Sequence, residues 1–219
     1  MNHDLVAFDV NETLLDVSAL RPAFRRVVGP GIGVGEWFAR MLHRSLLANE
    51  LGRYQSFGDL GVEALLWLAA REEVRLTAEE AASVVDGLAG LPAHPDVMPG
   101  LEALSAAGTR MIALTNGSAE MAEAQIASAG LDTYFDRVLS VEAVRRFKPA
   151  PEAYAYAADT CGVDIGRMVM VAAHDWDVAG AQVAGAVGCF VRRQPWGLAQ
   201  MSPNLSVDDM GGLAAALEV

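Results

Sequence analysis

Cysteine is scarce in this 219-residue chain, which has only Cys161 and Cys189. Such sparing use fits a reducing compartment, and both read as buried thiols. Positive charge is also short: 16 Lys and Arg stand against 28 Asp and Glu, a net charge of -12. That balance excludes a nucleic acid or an anionic membrane as partner, since either needs a basic face. A small anionic substrate would have to be drawn in by a few local cations beside the site. No apolar stretch approaches the roughly 20 residues needed to cross a bilayer. The first residues lack the basic start and small-residue cleavage site of a signal peptide. Without export the sequon Asn204-Leu205-Ser206 has no consequence, and the expectation is a cytoplasmic protein. The histidines, at positions 3, 43, 94 and 174, have no metal-ligand spacing. There is no internal repeat and no low-complexity segment. Gly29 to Gly35 is glycine-rich, but no strand precedes it and its spacing is not G-x-G-x-x-G, so it reads as a helix-helix connection.

What is present is a chain with 53% apolar residues, enough for a full core in one domain or one domain plus an insert. Short apolar runs at 5–8, 111–114, 137–140, 168–171 and 187–191 read as strands. Ala-rich amphipathic segments at 99–107, 118–129, 151–161 and 178–186 alternate with them as helices. This alternation predicts a doubly wound parallel α/β sheet. Gly108, Gly130, Gly162 and Gly185 fall where helix ends need a left-handed residue. Residues 17–92 break the rhythm. Segments 18–28, 35–47, 57–71 and 77–88 all read as helices with no strand between them. The expected organisation is therefore a core domain of residues 1–16 and 93–219, with an inserted all-helical cap of residues 17–92.

Chemistry collects at the expected strand tips. Asp9 ends the first apolar run, and Thr13 follows it by four residues. In an α/β sheet ligands bind at the carboxyl ends of the strands, and an aspartate there can act as a covalent nucleophile. The plainer reading is a helix cap or an Asx turn. The second strand ends in Thr115-Asn116-Gly117-Ser118, whose side chains and backbone N–H groups suit an anion, although Ser118 equally suits an N-cap. Lys148, between Phe147 and Pro149, would keep a neighbouring Asp9 ionised, and Tyr154 lies six residues on. The fourth strand ends in Ala172-Ala173-His174-Asp175-Trp176-Asp177, which offers an imidazole or a carboxylate as general base.

The order and spacing of these four motifs resemble the haloacid dehalogenase superfamily, and the resemblance covers almost the whole chain. Most of its members are Mg²⁺-dependent phosphatases, with a second Asp two residues after the nucleophile and a Gly-Asp pair in the fourth motif. Here Asn11 and Ala172-Ala173 stand in those places, with Asp175 displaced by two residues. The chain instead resembles the L-2-haloacid dehalogenases (type II). That resemblance implies metal-independent hydrolysis of (S)-2-haloalkanoic acids through an ester on Asp9, with no cofactor. It implies catalytic roles for Asp9, Thr13, Arg40, Lys148 and Asp177, with His174 a second candidate for activating water. Substrate and halide would meet Asn11, Phe57, Thr115, Asn116, Tyr154 and Trp176. A homodimer is a further expectation, with the apolar helices of the insert as its interface. Two departures stand out: the family has Tyr-Gly where this chain has Asn11-Glu12, and Ser-Ser-Asn-Ala-Trp-Asp where this chain has residues 172–177. A phosphatase of the same superfamily and a non-catalytic binding module are the alternative readings.

Overall fold

The computed structural model describes residues 3–219. Six strands, β1 (Leu5–Phe8), β2 (Met111–Thr115), β3 (Arg137–Ser140), β4 (Met168–Ala172), β5 (Val187–Val191) and β6 (Leu205–Val207), form one sheet in the order β3-β2-β1-β4-β5-β6. Every neighbouring pair is parallel. Interior parallel strands are covered on both faces, which is why β1, β2 and β4 are apolar and buried along their whole length.

Between β1 and β2 come the 3-10 turn Val17–Leu20 and the helices α1 (Arg21–Val28), α2 (Val34–Leu51), α3 (Phe57–Arg71) and α4 (Ala78–Asp86), then α5 (Val97–Ala106). α6 (Ala119–Ser128) joins β2 to β3, α7 (Pro151–Cys161) joins β3 to β4, and α8 (Asp175–Ala184) joins β4 to β5. α9 (Leu213–Leu217) closes the chain. The strand order reverses direction between β1 and β4. Right-handed crossovers then send α5 and α6 to one face of the sheet and α7 and α8 to the other. The crevice opens at that switch point, outside the carboxyl ends of β1 and β4.

The helical segment has its own packing logic. On α2, Val34, Trp37, Phe38, Met41, Ser45 and Ala48 are buried, the i, i+3, i+4, i+7 stripe of a helix with one inward face. Trp37 donates from Nε1 to the Gly61 carbonyl of α3 at 2.8 Å. A Cβ on Gly61 would stand 2.8 Å from the Met41 sulfur and 3.2 Å from a Val85 methyl, so the missing side chain eases the close approach of α2 and α3. Thr77 and Glu80 form a reciprocal capping box at the start of α4.

The expected strands and helices are all present. The short edge strand β6 and the helix α9 were not expected. α8 begins at Asp175 rather than 178, because its two acidic first-turn residues favour a helix N-terminus. Cys189 is buried, whereas Cys161 is only half-buried, a correction to the expectation of two buried thiols. Among the described residues no helix is long and apolar enough to cross a membrane.

Gly180 of α8 fixes how that helix meets the Lys148 loop. A Cβ there would overlap Pro149 and come within 2.7 Å of the Tyr154 hydroxyl. Gly180→Ala is expected to destabilise the fold by about 1–3 kcal/mol through overpacking, read by urea unfolding. A variant as stable as the parent would contradict this packing.

Candidate active site

β1 delivers Asp9 to the crevice, and the Asp9 backbone N–H donates to the Val171 carbonyl of β4 at 3.0 Å. The chain then turns through Val10 to Leu14, bringing Thr13 back under Asp9. Its hydroxyl donates to Asp9 Oδ2 at 2.7 Å and accepts from the Ala173 N–H at 2.9 Å. One hydroxyl thus ties the tips of β1 and β4 together.

Lys148 is the only lysine of the chain, and its side chain is sealed from solvent. Nζ donates to Asp9 Oδ1 at 2.8 Å, to Asp177 Oδ2 at 2.7 Å and to the Leu114 carbonyl at 2.9 Å. An ammonium has three protons, and all three are placed. Its backbone is held as firmly. The Lys148 N–H donates to Asn116 Oδ1 at 2.8 Å, and Asn49 of α2 bonds both the N–H and the carbonyl of Phe147, at 2.9 and 2.7 Å.

Burial alone would raise the Asp9 pKa, but the Lys148 charge and the His174 hydrogen bond outweigh it and hold the carboxyl well below the usual range. Burial likewise works against the Lys148 ammonium, and the two carboxylates more than restore it. Asp177 is pushed up by burial against the pull of Lys148.

His174, the N-cap residue of α8, lies between two carboxylates. Its Nδ1 is 3.3 Å from Asp9 Oδ2, and its Nε2 is 2.8 Å from Glu12 Oε2. The ring stacks on Phe38 and on Trp176, with centroids at 6.1 and 5.1 Å. Burial opposes the charged ring, yet the hydrogen bonds to Asp9 and Glu12 lift its pKa to about 9. In this state His174 is a cation at neutral pH, not the ready base expected from an ordinary imidazole.

A cavity of about 440 Å³ opens above these groups, lined by Phe38, Leu42 and Leu46 of α2 together with Glu12, His174 and Trp176. Below it, a crevice of about 10 Å³ touches Asp9, Asn11, Phe57, Thr115, Asn116 and His174. Asp9, Thr13, Lys148 and His174 therefore meet as expected, and Asn11, Phe57, Thr115, Asn116 and Trp176 surround them.

Several expectations need correction. Arg40 does not reach either space; it lies over the Trp67 ring at 4.0 Å. Two residues from Phe38 on a helix is about 200° of rotation, so when Phe38 faces the site Arg40 faces away. Asp177 does not face the crevice, because both oxygens are occupied, one by Lys148 and the other by the Tyr154 hydroxyl at 2.6 Å. Tyr154 is fully buried and does not line the pocket; it supports Asp177. Ser118 is an N-cap, accepting from the Met121 N–H, and Thr115 Oγ1 accepts from the Gly117 N–H. The start of α6 is therefore largely self-satisfied rather than an open anion cradle. Asp175 does not turn toward Asp9: its oxygens accept from the Trp176 and Gly197 N–H groups.

Residues the motifs did not point to are Glu12, Phe38, Leu42, Asn49 and Gln125. Gln125 donates to the Asn11 carbonyl at 2.9 Å, leaving the Asn11 NH₂ as that side chain's remaining donor. For Phe38 a signal existed, since it lies in phase with the buried stripe of α2. The others act across long sequence separations that no local pattern encodes.

A buried aspartate held ionised by a lysine, at the tip of the central strand of a parallel sheet, is the arrangement of a hydrolase with a carboxylate nucleophile. Comparison with known proteins agrees. The chain belongs to the haloacid dehalogenase-like hydrolase family, whose model matches residues 3–185. It is 33% identical to an (S)-2-haloacid dehalogenase of Xanthobacter autotrophicus over 82% of this chain and 71% of that one. It is 28% identical to the (S)-2-haloacid dehalogenase H-109 of Pseudomonas putida over 95% of each. The fold superposes on the structure of the L-2-haloacid dehalogenase from Xanthobacter autotrophicus with a TM-score of 0.92 at 27% identity, covering 99% of this chain and 98% of that one. A structure of that enzyme with chloropropionic acid covalently bound matches with a TM-score of 0.90.

The raised His174 pKa makes stability depend on pH with a definite sign. The stabilising charge is fully present below the unfolded value of 6.5 and is lost as pH rises through about 9. Stability of the parent should fall by about 3 kcal/mol across that window, and His174→Gln should flatten the fall. Urea titrations at several pH values measure it, and an equally steep fall in the variant would disprove the assignment.

Proposed function

We propose that this protein hydrolyses (S)-2-haloalkanoic acids to 2-hydroxy acids through an ester on Asp9. The observation that carries the reading is the buried Asp9–Lys148 pair, 2.8 Å long, beneath an apolar-walled cavity. Asp9 Oδ1 accepts only from Lys148, whereas Oδ2 accepts from Thr13 and is contacted by His174, so Oδ1 is the freer oxygen for attack on C2. Halide departs as an anion and needs no proton. This suits a site where the position two residues past Asp9 is an amide, Asn11, tied to Gln125. The alkoxide leaving a phosphate ester would need an acid there, and a divalent cation would need carboxylate oxygens that Asp175 has committed elsewhere.

Asn11, Asn116 and the edges of Phe57 and Trp176 receive the halide. The Thr115 hydroxyl helps hold the substrate carboxylate. Polar donors aimed at developing charge contribute about 3 kcal/mol each in comparable sites. Asp177 and Tyr154 keep Lys148 in place.

The crevice at Asp9 has room for about one water, so a haloacid enters only when Phe38 and Leu42 give way. On this reading residues 17–92 form a cap that opens over a core domain of 1–16 and 93–219. A reducing cytoplasm suits the two free thiols. A homodimer through α2, where Leu46, Leu47 and Leu51 are exposed, completes the picture.

In H₂¹⁸O under single-turnover conditions with (S)-2-chloropropionate, label should enter Asp9 before it enters product, with chloride release unaffected by chelator. Label passing directly into product, or activity lost to EDTA, would refute the reading; Asp9→Asn should release no chloride. Arg40→Ala is expected to keep chloride release within about threefold and to lose about 1 kcal/mol of stability from the cation–π contact. A loss of activity of a hundredfold would place that arginine in the site after all.

A further inference from the structure

Resting on that displacement at Asp9, we propose that His174 is the base of the second half-reaction and that Glu12 is its positioning residue. In this role Nδ1 takes the proton of the attacking water while the Glu12 carboxylate holds Nε2–H.

Glu12 has φ 62°, a left-handed conformation that costs a residue with a Cβ about 1–2 kcal/mol. Strain of this kind persists where the surroundings hold it, and it is a pointer to function. The turn holds it through the Glu12 N–H, which donates to the Leu15 carbonyl at 2.8 Å, and the side chain it presents reaches His174 Nε2 at 2.8 Å. A carboxylate on Nε2 fixes the tautomer of the neutral ring: the proton stays on Nε2 and the lone pair stays on Nδ1. Nδ1 lies 3.3 Å from Asp9 Oδ2, and both groups border the crevice of about 10 Å³. A water accepted by Nδ1 therefore lies against the carboxyl group it must attack, within the reach a general base requires.

The free enzyme holds His174 charged, and ester formation changes that. The charged or titratable groups around it are Asp9 and Glu12 by direct contact, Lys148 on the far oxygen of Asp9, and Asp175 next in the chain with its oxygens turned to backbone N–H groups. Phe38 and Trp176 cover the ring without adding charge. Alkylation turns Asp9 into a neutral ester, so its contribution to the imidazolium disappears while the cost of burial remains. His174 then releases its Nδ1 proton to water in the cavity it borders, while Nε2–H stays on Glu12. That release accounts for the single proton that accompanies halide in the overall hydrolysis.

The remaining protons balance. Water oxygen bonds to the Asp9 carboxyl carbon and its proton goes to Nδ1. The tetrahedral intermediate collapses by breaking the bond from that carbon to the ester oxygen, and the departing alkoxide takes the proton from Nδ1. Asp9, now a neutral acid, returns its own proton to Nδ1, restoring the carboxylate and the imidazolium. Asp177 has no part in this exchange, because Lys148 and Tyr154 occupy it.

Rapid-quench single turnovers with (S)-2-chloropropionate, following chloride and the mass of the Asp9 peptide, test the assignment. In His174→Gln the ester should accumulate, its hydrolysis slowing about a hundredfold or more relative to chloride release. Its rise with pH should also be lost. Glu12→Gln keeps the length of the side chain but removes the charge. It should hydrolyse the ester about tenfold more slowly, with the pH midpoint of that step moved down by about one unit. This variant carries the test alone if His174→Gln does not fold. Ester hydrolysis at the parental rate and pH profile in the folded variants would overturn the assignment. Chloride release with no mass gain on the Asp9 peptide in the slowed variants would overturn the displacement at Asp9 instead.

Discussion

The structure depends on one buried ammonium. Lys148 Nζ sits between Asp9 and Asp177 with a backbone carbonyl as its third acceptor, out of contact with water. Removing such a group from water costs several kcal/mol per ion. The cost is offset only where geometry is good and every proton finds an acceptor, as it does here. Asn116 and Asn49 fix the backbone around the lysine from two directions, one from the sheet and one from α2. The helical segment is thereby tied to the loop that sets the charge of the nucleophile.

From that ion pair the chemistry follows by electrostatics. A carboxylate in a low-dielectric pocket would ordinarily take up a proton, and Lys148 prevents it. Once the carboxylate is spent in forming an ester, the balance of charge in the pocket shifts by one unit. The group next to Asp9 that feels this change is His174, lifted to about 9 while Asp9 is charged. In the proposed mechanism, loss of the Asp9 charge is what turns it from a cation into a base.

Much of the fold was legible in the sequence because parallel strands buried on both faces leave continuous apolar runs, as in Leu5–Phe8 and Met168–Ala172. β6 was not legible: it has three residues at the sheet edge, follows Pro203 and Asn204, and owes its conformation to pairing with β5. At the site, Asp9, Thr13 and Lys148 could be placed because strand tips converge on one crevice in any doubly wound sheet. Arg40 was misplaced by reading position without helical phase. Trp37, Phe38 and Met41 already mark the inward face of α2, and Arg40 is off it. The pairing of Glu12 with His174 joins residues 162 apart and leaves no trace in local spacing. Both belong to segments that depart from the family pattern, and the structure brings those two departures into contact.

Because the chain has a single lysine, isotopic labelling of lysine gives one side-chain resonance, that of Lys148. Its titration by nitrogen-15 NMR reads the central ion pair directly. The account predicts an ammonium that persists above pH 10.5, the value of a free lysine, because Asp177 and Asp9 stabilise it. A resonance that loses its proton below that value in the folded protein would contradict it.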